Sequence, residues 1–454
     1  MNSTVVKHIS ECFIKPKHLV EESNRPYYLT PSDLSMLSFH YIQKGLLFTI
    51  PSHLNHQQYS IHNLLESLKE SLSTTLIQFY PLAGQLSTQT DEDRHECLVF
   101  VDCNKGRGAK FIHATLDLTI SDIISTRYVP QVVHALFDHD LAVNCDGHTL
   151  PLLSVQVTEL LDGVFIGCSI NHAIVDGTSY WQFWNTWSKI HSADRDKTPK
   201  PQFGLLTQEF RFLNGCGPEI SLPFMHADEI VSRYQAPQLK EKFFHFSSSV
   251  VMKLKTKANH DSKTNTISSF QALTAFVWKS VVRATSRPAN EVTKCRLAIN
   301  NRPRFDPPLP NNYFGNCVNV LATSTTVDEL LNHDLGWVAS QLHHLVVNYN
   351  DKVVRDELEQ WLISPVFFRL DMLASPGITM SSSPRFDMYG NDFGLGKPVA
   401  VRSGSANKFP GSVTACPGRE GGGSVELEIC LPLESMIALE LDEEFMAAAS
   451  LSNT

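Results

Sequence analysis

At 454 residues the chain is long for one hydrophobic core and long enough for two domains of about 200 residues each. Apolar residues make up 42% and charged residues 19%, with six tryptophans and 26 phenylalanines as buried anchors, which excludes a disordered chain. A net charge of −9 argues against general binding to nucleic acid or to an anionic membrane.

No apolar run approaches the ~18 residues of a membrane span. Met1-Asn2-Ser3-Thr4 lacks the layout of a signal peptide, Asn2 excludes myristoylation, and Leu451-Ser452-Asn453-Thr454 is not a recognised address. The ten cysteines show no CxxC pairing. They read as small buried hydrophobes of a reducing compartment rather than disulfides or metal ligands. The expectation is a soluble cytoplasmic protein with no metal.

In chain order, Leu29 to Leu34 reads as a turn into a pocket-lining segment, Ser38 to Lys44, where Ser38, His40, Tyr41 and Gln43 suit ligand contact, although an edge strand would look the same. Leu64 to Leu76 has helical spacing; Pro81 and Gly84 then end the helix and start a strand. Leu98 to Val101 is a strand. Val155 and Val157 alternate with polar neighbours, Asp162-Gly163 turns the chain, and Val164 to Cys168 returns as a buried strand. This hairpin delivers Asn171 and His172 to its end, followed by Asp176, Gly177 and an amphipathic helix from Tyr180.

Lys, Asp, Pro and Gly then dominate from about Ser192 to Pro223, the signature of an interdomain connection. Phe243 to Leu254 reads as strand and Thr264 to Val282 as a helix capped by Ser268 or Ser269. Leu297 to Ile299 is a short strand. Asp328 to Tyr349, Glu357 to Leu370 (interrupted at Pro365) and Leu433 to Ala448 read as helices, with turns and strands from Gly377 onward.

His172, beside a strand, reads either as a satisfied structural histidine or as the centre of the chemistry. Histidine takes and returns a proton near neutral pH, and the end of a strand holds its ring rigidly toward a cavity. Gly177 allows a backbone turn that a side chain would hinder. Asn391 to Pro398 is a Gly-rich turn with one acid, too short for a phosphate-binding P-loop.

Five segments together carry a resemblance. His172-Ala173-Ile174-Val175-Asp176-Gly177 resembles the HxxxDG motif of the plant BAHD acyltransferases, and Asp392-Phe393-Gly394-Leu395-Gly396 resembles their DFGWG motif. Tyr80 to Gly84, Leu273 to Trp278, and Pro308-Leu309-Pro310 with Tyr313 to Asn316 are similar to other recurring segments of that family, in order and approximate spacing. The subgroup most similar includes uncharacterised acetyltransferases and isochorismoyl-glutamate lyase.

The resemblance implies an α/β fold of two chloramphenicol-acetyltransferase-like domains, with mixed sheets flanked by helices and a solvent channel between them. It places an N-terminal domain over 1–195, a crossover over 196–223 and a C-terminal domain over 224–454, with a segment near 377–405 packing against the first. It implies a monomer that moves an acyl group from acyl-CoA, a co-substrate and not a bound cofactor, to a small-molecule alcohol or amine. His172 would act as general base in a ternary complex. Asp176 would pair structurally with an arginine, here Arg302, against the other reading of a triad orienter. Asp392, with Gly394 and Gly396, would be structural, with a second catalytic role left open. CoA phosphates would meet Lys255, Lys257, Ser268 and Ser269, although the lysines also read as a solvated strand face. Leu395 stands where the family has tryptophan, so a channel residue that could donate a hydrogen bond is replaced by one that cannot. The alternatives are a CoA-independent lyase on the same fold and a catalytically idle regulatory binder.

Overall fold

The computed structural model describes residues 5–50, 60–199, 206 and 218–449. Its strands in chain order are β1 (Lys7–Ile14), β2 (Tyr27–Tyr28), β3 (Ile42–Thr49), β4 (Gln85–Asp91), β5 (Glu96–Asp102), β6 (Ala109–Thr115), β7 (Leu153–Glu159) and β8 (Gly163–Ile170). They continue with β9 (Ser221–Leu222), β10 (Lys240–Phe246), β11 (Val292–Asn300), β12 (Val318–Thr326), β13 (Gly377–Ser382), β14 (Ala400–Ser403), β15 (Ser412–Pro417) and β16 (Val425–Leu431).

The β7–β8 hairpin pairs Leu153 with Ile170 and Glu159 with Val164. β8 is buried along its whole length, as a near-continuous apolar strand covered on both faces must be. It lies inside a six-stranded sheet of order β1-β6-β7-β8-β3-β14. Only β6 and β7 run parallel there. Gly45 on β3 is needed for close approach: a Cβ there would stand 2.2 Å from Cζ of Phe165.

A second six-stranded sheet has the order β10-β16-β15-β13-β11-β12, with β13 parallel to both neighbours. The stretch 377–405 therefore divides, β13 belonging to the second sheet and β14 crossing to pair with β3. A smaller sheet, β2-β5-β4 with β9 on β5, stands apart from both. Most of the connection expected over 196–223 lies outside the described residues.

The helices Ile61–Gln78 and Gly177–Asp196 pack together over the first sheet's core. Phe79 meets Phe183 edge-on at 5.5 Å, and Trp187 meets Phe393 at 4.7 Å. The helices Ser248–Asp261, Ser269–Ala284 and Leu335–Val347 pack on one another beside the second sheet, where Phe244, Phe276 and Phe445 are buried. Each buried phenylalanine contributes roughly 1.5–3 kcal/mol. Phe314, beyond β11, crosses to meet Phe79 at 5.3 Å and ties the C-terminal half to the first core.

Four expected boundaries move, each for a local reason. The run from Phe243 to Leu254 is not one strand. β10 ends at Phe246, and Ser247 caps the helix Ser248–Asp261 by accepting from Val250 N. The helix over 328–349 is two, Val327–Asn332 and Leu335–Val347, because Asp334 caps the second with a 2.8 Å bond from Trp337 N. The helix Asp351–Ile363 stops short of Pro365, which supplies no N–H and forces the preceding residue out of helical conformation. The C-terminal helix divides into Leu433–Leu441 and Glu443–Ala448, with Asp442 capping the second piece.

Candidate active site

β8 ends at Ile170, and the next two residues are fastened by main-chain and asparagine bonds. Asn171 N donates to Leu152 O at 2.9 Å and Asn171 Nδ2 to Asn144 O at 2.8 Å. His172 N donates to Asn144 Oδ1 at 2.6 Å, and Asn316 Nδ2 donates to His172 O at 2.7 Å. All three asparagines are fully buried. The histidine backbone is thus pinned from both halves of the chain while its ring stays free to face the cavity. Sequence reasoning singled out Asn171 alone. Asn316 lies in the quoted Tyr313–Asn316 segment, and nothing local marks Asn144.

The ring of His172 meets Phe39 edge-on at 6.2 Å, and its Nδ1 is buried with no hydrogen bond. Burial lowers its pKa below the ordinary 6.5, and its own backbone, Asp176, Asn316 and the Val175 backbone only partly push it back. The imidazole is therefore neutral near pH 7, the form a base requires.

Asp176 is fully committed elsewhere. Its Oδ1 accepts from Ser179 N at 3.0 Å, capping the following helix, and from Arg302 Nη2 at 3.1 Å. Its Oδ2 accepts from Arg302 Nη1 at 2.5 Å and Cys317 N at 3.0 Å. Burial pushes this carboxyl up, and the Arg302 guanidinium with the N–H donors more than reverses it, leaving the pKa below its ordinary value. No hydrogen bond joins Asp176 to the His172 ring, so the triad-orienter reading is set aside. Gly177 has another role than the turn expected of it. It opens the helix, and a Cβ there would crowd the Phe386 ring at 3.1 Å.

His172 borders a cavity of about 250 Å³ built from both six-stranded sheets. The first half supplies Phe39, Ile42, Lys44 and Trp181; β11 supplies Ala298 and Asn300, β12 Val318 and Val320, and β13 Thr379 and Ser381. The segment expected to line a pocket does so through Phe39, Ile42, Gln43 and Lys44. Ser38, His40 and Tyr41 do not line it. Ser38 Oγ bonds the Ser232 backbone, His40 Nδ1 accepts from Asn407 N at 3.1 Å, and the Tyr41 ring packs edge-on to His139 at 5.3 Å. Gln43 spends its amide on Asp138 O and Ala406 N. Thr379 was missed by sequence reasoning. Its Oγ1 is buried, unbonded, and on the cavity wall.

The second motif lies elsewhere. Asp392 Oδ1 accepts from Gly394 N at 2.7 Å, Gly396 N at 3.3 Å and Arg195 Nη1 at 3.2 Å. Both glycines sit at φ 82°, where a side chain costs about 1–2 kcal/mol. Leu395 is not an acceptor-pocket residue: it is buried in the first core and borders an outer cleft with His191 and Arg195. Asp392 does not line the cavity that His172 borders.

Lys255 and Lys257 sit on the helix Ser248–Asp261, not on a strand, and Lys257 pairs with Asp261 at 3.0 Å. Ser268 caps the next helix with Gln271 as its reciprocal partner, and Ser269 opens that helix. None of the four lines the cavity. Among the described residues no cluster of three or more His, Cys, Asp or Glu side chains is placed to hold a metal, and no helix is long and apolar enough to cross a membrane.

Two mixed sheets flanked by helices, enclosing a cavity with a pinned histidine at a strand end, define an acyltransferase of the two-domain type. A family model described as the Transferase family matches residues 4–446. An uncharacterised acetyltransferase of Arabidopsis thaliana is 33% identical over 97% of this chain and 98% of its own, and the BAHD acyltransferase DCR of Arabidopsis thaliana is 31% identical over 97% and 92%. The crystal structure of vinorine synthase superposes with a TM-score of 0.75 at 22% identity, covering 98% of this chain and 99% of that one. The chain belongs to the plant BAHD acyltransferase family.

Proposed function

We propose that the protein moves an acyl group from a CoA thioester to the hydroxyl, or amine, of a small plant metabolite, with both substrates bound at once and His172 as the general base. One observation carries this reading: a neutral imidazole, backbone-pinned by Asn144 and Asn316, opens on a cavity shared by both sheets. An alcohol is a poor nucleophile at neutral pH because almost none of it is ionised. One ring nitrogen takes the hydroxyl proton as the oxygen attacks the thioester carbonyl. Collapse of the tetrahedral intermediate breaks the C–S bond, and the imidazolium returns the proton to the departing thiolate. Holding both substrates in one cavity supplies much of the rate.

The developing oxyanion needs a donor. Leu395 lies outside the cavity, whereas the unbonded Thr379 hydroxyl lines it and fits that task. CoA is a long molecule whose phosphates need not enter the cavity, so Lys255, Lys257, Ser268 and Ser269 remain the proposed phosphate contacts, with the Ser269 helix offering its N-terminal N–H groups.

The test is a panel of acyl-CoAs against plant alcohols and amines, read as thiol release and product mass, with His172→Ala alongside. A loss of ~10²–10⁴-fold is expected in the variant. Near-wild-type turnover by His172→Ala would remove the base assignment. Product formed without any acyl-CoA would favour the lyase chemistry instead.

A further inference from the structure

The cavity has one cationic wall that acyl transfer alone does not require. Lys44 lines it from β3, a strand whose following residues Leu46, Leu47 and Phe48 are all buried and apolar. Its Nζ donates to Ser403 Oγ at 2.5 Å, and Ser403 Oγ donates onward to Glu428 Oε2 at 2.6 Å. Glu428 Oε1 is taken by Lys408 Nζ at 3.0 Å, and Lys408 also bonds Glu241. Lys408, which also borders the cavity, has its charge met by two carboxylates. Lys44 is in no ion pair among the described residues, and two of its three N–H donors have no partner there. An ammonium half withdrawn from water keeps its charge at a cost unless acceptors meet its donors.

Phe39, Ile42, Trp181, Val318, Phe368 and Phe409 give the wall a broad apolar surface, interrupted by uncharged hydroxyl and amide side chains such as Thr379, Ser381 and Asn300. An occupant that satisfies both surfaces has an apolar body and one anionic end. Glu428, one hydroxyl away from Lys44, disfavours a dianion such as phosphate, and there is a point charge here rather than the guanidinium fork that suits phosphate.

We propose that one substrate of this enzyme is a carboxylic acid with an apolar body, its carboxylate seated on Lys44 while its other end lies at His172. The inference rests on the acyl-transfer reading for its catalytic consequence, though not for binding. The carboxylate has two chemical sources, a hydroxy or amino acid as acceptor, or a dicarboxylic acyl group on CoA. With a hydroxy acid, the hydroxyl oxygen bonds to the thioester carbonyl carbon and the C–S bond breaks. The hydroxyl proton reaches the thiolate through His172, and the carboxylate is unchanged.

Calorimetric titration of the full chain with hydrocinnamate and its neutral isostere hydrocinnamamide tests the site. The acid is expected to bind about 10-fold tighter or more. Lys44→Met is expected to erase that preference, Lys44→Arg to keep it, and His172→Ala to keep it while losing transfer. Equal affinity of acid and amide in the wild type, including no binding of either, overturns the proposal, as does a preference unchanged in Lys44→Met. Should Lys44→Met not fold, Lys44→Gln replaces it.

Two turnover arms separate the sources: acetyl-CoA with phenyllactate against phenyllactamide, and succinyl-CoA against butyryl-CoA with benzyl alcohol. Acid-selective turnover in the first arm assigns the acceptor, and in the second the donor. Turnover that favours the neutral member in both arms overturns the proposal. Acid-selective binding with no turnover in either arm upholds the carboxylate site and counts against acyl transfer.

Discussion

Arg302 and Asp176 form a two-pronged ion pair, Nη1 to Oδ2 at 2.5 Å and Nη2 to Oδ1 at 3.1 Å, with both side chains nearly sealed from solvent. Arg302 also donates to Ser179 Oγ and Gly315 O, so it locks the start of the Gly177–Asp196 helix to the chain beyond β11. Removing one partner leaves the other charged and buried. Arg302→Met is therefore expected to cost about 3–5 kcal/mol of stability. The double variant Asp176→Asn/Arg302→Met should cost less than the sum of the singles by about 1–3 kcal/mol. Urea unfolding of the four proteins measures this, and additive costs would show that the pair is not coupled. The Asp176 pKa is depressed, so its contribution is complete above about pH 3.9, the unfolded value, and is lost as the pH falls through the folded one.

Near neutrality the histidines control the pH response. His172, His40, His139 and His191 all lie below the ordinary 6.5, with burial the largest cause in each, and His40 falls to about 4. The bond from Asn407 N to His40 Nδ1 requires that nitrogen to be unprotonated. Between the folded and unfolded pKa values the unfolded chain binds a proton that the folded chain does not. Stability must therefore fall as the pH drops below about 6.5, with His40 alone contributing on the order of 3 kcal/mol over the full interval. Urea midpoints followed from about pH 7.5 down to about pH 5 should decline, and less steeply in His40→Asn. In the same range kcat/KM should rise through a limb centred below about 6.5 and stay flat above it. A limb centred higher would mean that His172 is not the group titrating.

The sequence shows the hairpin that carries His172 because each strand has a local signature: alternation in β7, an unbroken apolar run in β8, and a turn at Asp162-Gly163. The helix Ser248–Asp261 is masked, since aromatic β10 runs almost directly into it and only the spacing of Val251, Leu254 and Ala258 betrays a helical face. The cavity is harder to read, because its wall is assembled from β3, β11, β12, β13 and the chain after β14. Asn144 and Asn316 act on His172 from 28 and 144 positions away, and no local period reports such a meeting. Within Ser38 to Lys44 the polar residues attract attention as ligand contacts. The fold instead turns Ser38 and His40 onto backbone atoms and leaves apolar Phe39 and Ile42 to face the cavity.

Asp392 holds its own loop together. Its backbone is clamped by Ser188 and Ser192 on the Gly177–Asp196 helix, and its carboxylate gathers the N–H groups of Gly394 and Gly396 with Arg195. Asp392→Asn weakens charge-assisted bonds that are partly exposed, and a stability loss of about 1–2 kcal/mol is expected. Turnover per folded molecule should stay within about threefold, as for a substitution remote from the reacting atoms. Paired thermal unfolding and steady-state rates check this. A loss of about 100-fold in kcat with unchanged stability would move Asp392 into the reaction.

Thr379 separates stability from rate most cleanly. Its backbone is fixed in β13 between β11 and β15, with Thr379 N bonded to Gly411 O at 2.9 Å, so the side chain is held rigidly at the cavity. The Oγ1 atom is buried and bonds nothing, and an unsatisfied buried hydroxyl costs about 1–3 kcal/mol. Thr379→Val keeps the shape and removes that cost, so the folded state should be unchanged or more stable. If the hydroxyl donates to the tetrahedral oxyanion, the same change should lower kcat by about 10²–10³-fold, with KM little altered. Thr379→Ser keeps the donor and should retain most of the rate. A purely structural threonine would move stability and rate in the same direction, and Thr379→Val is expected to move them in opposite ones.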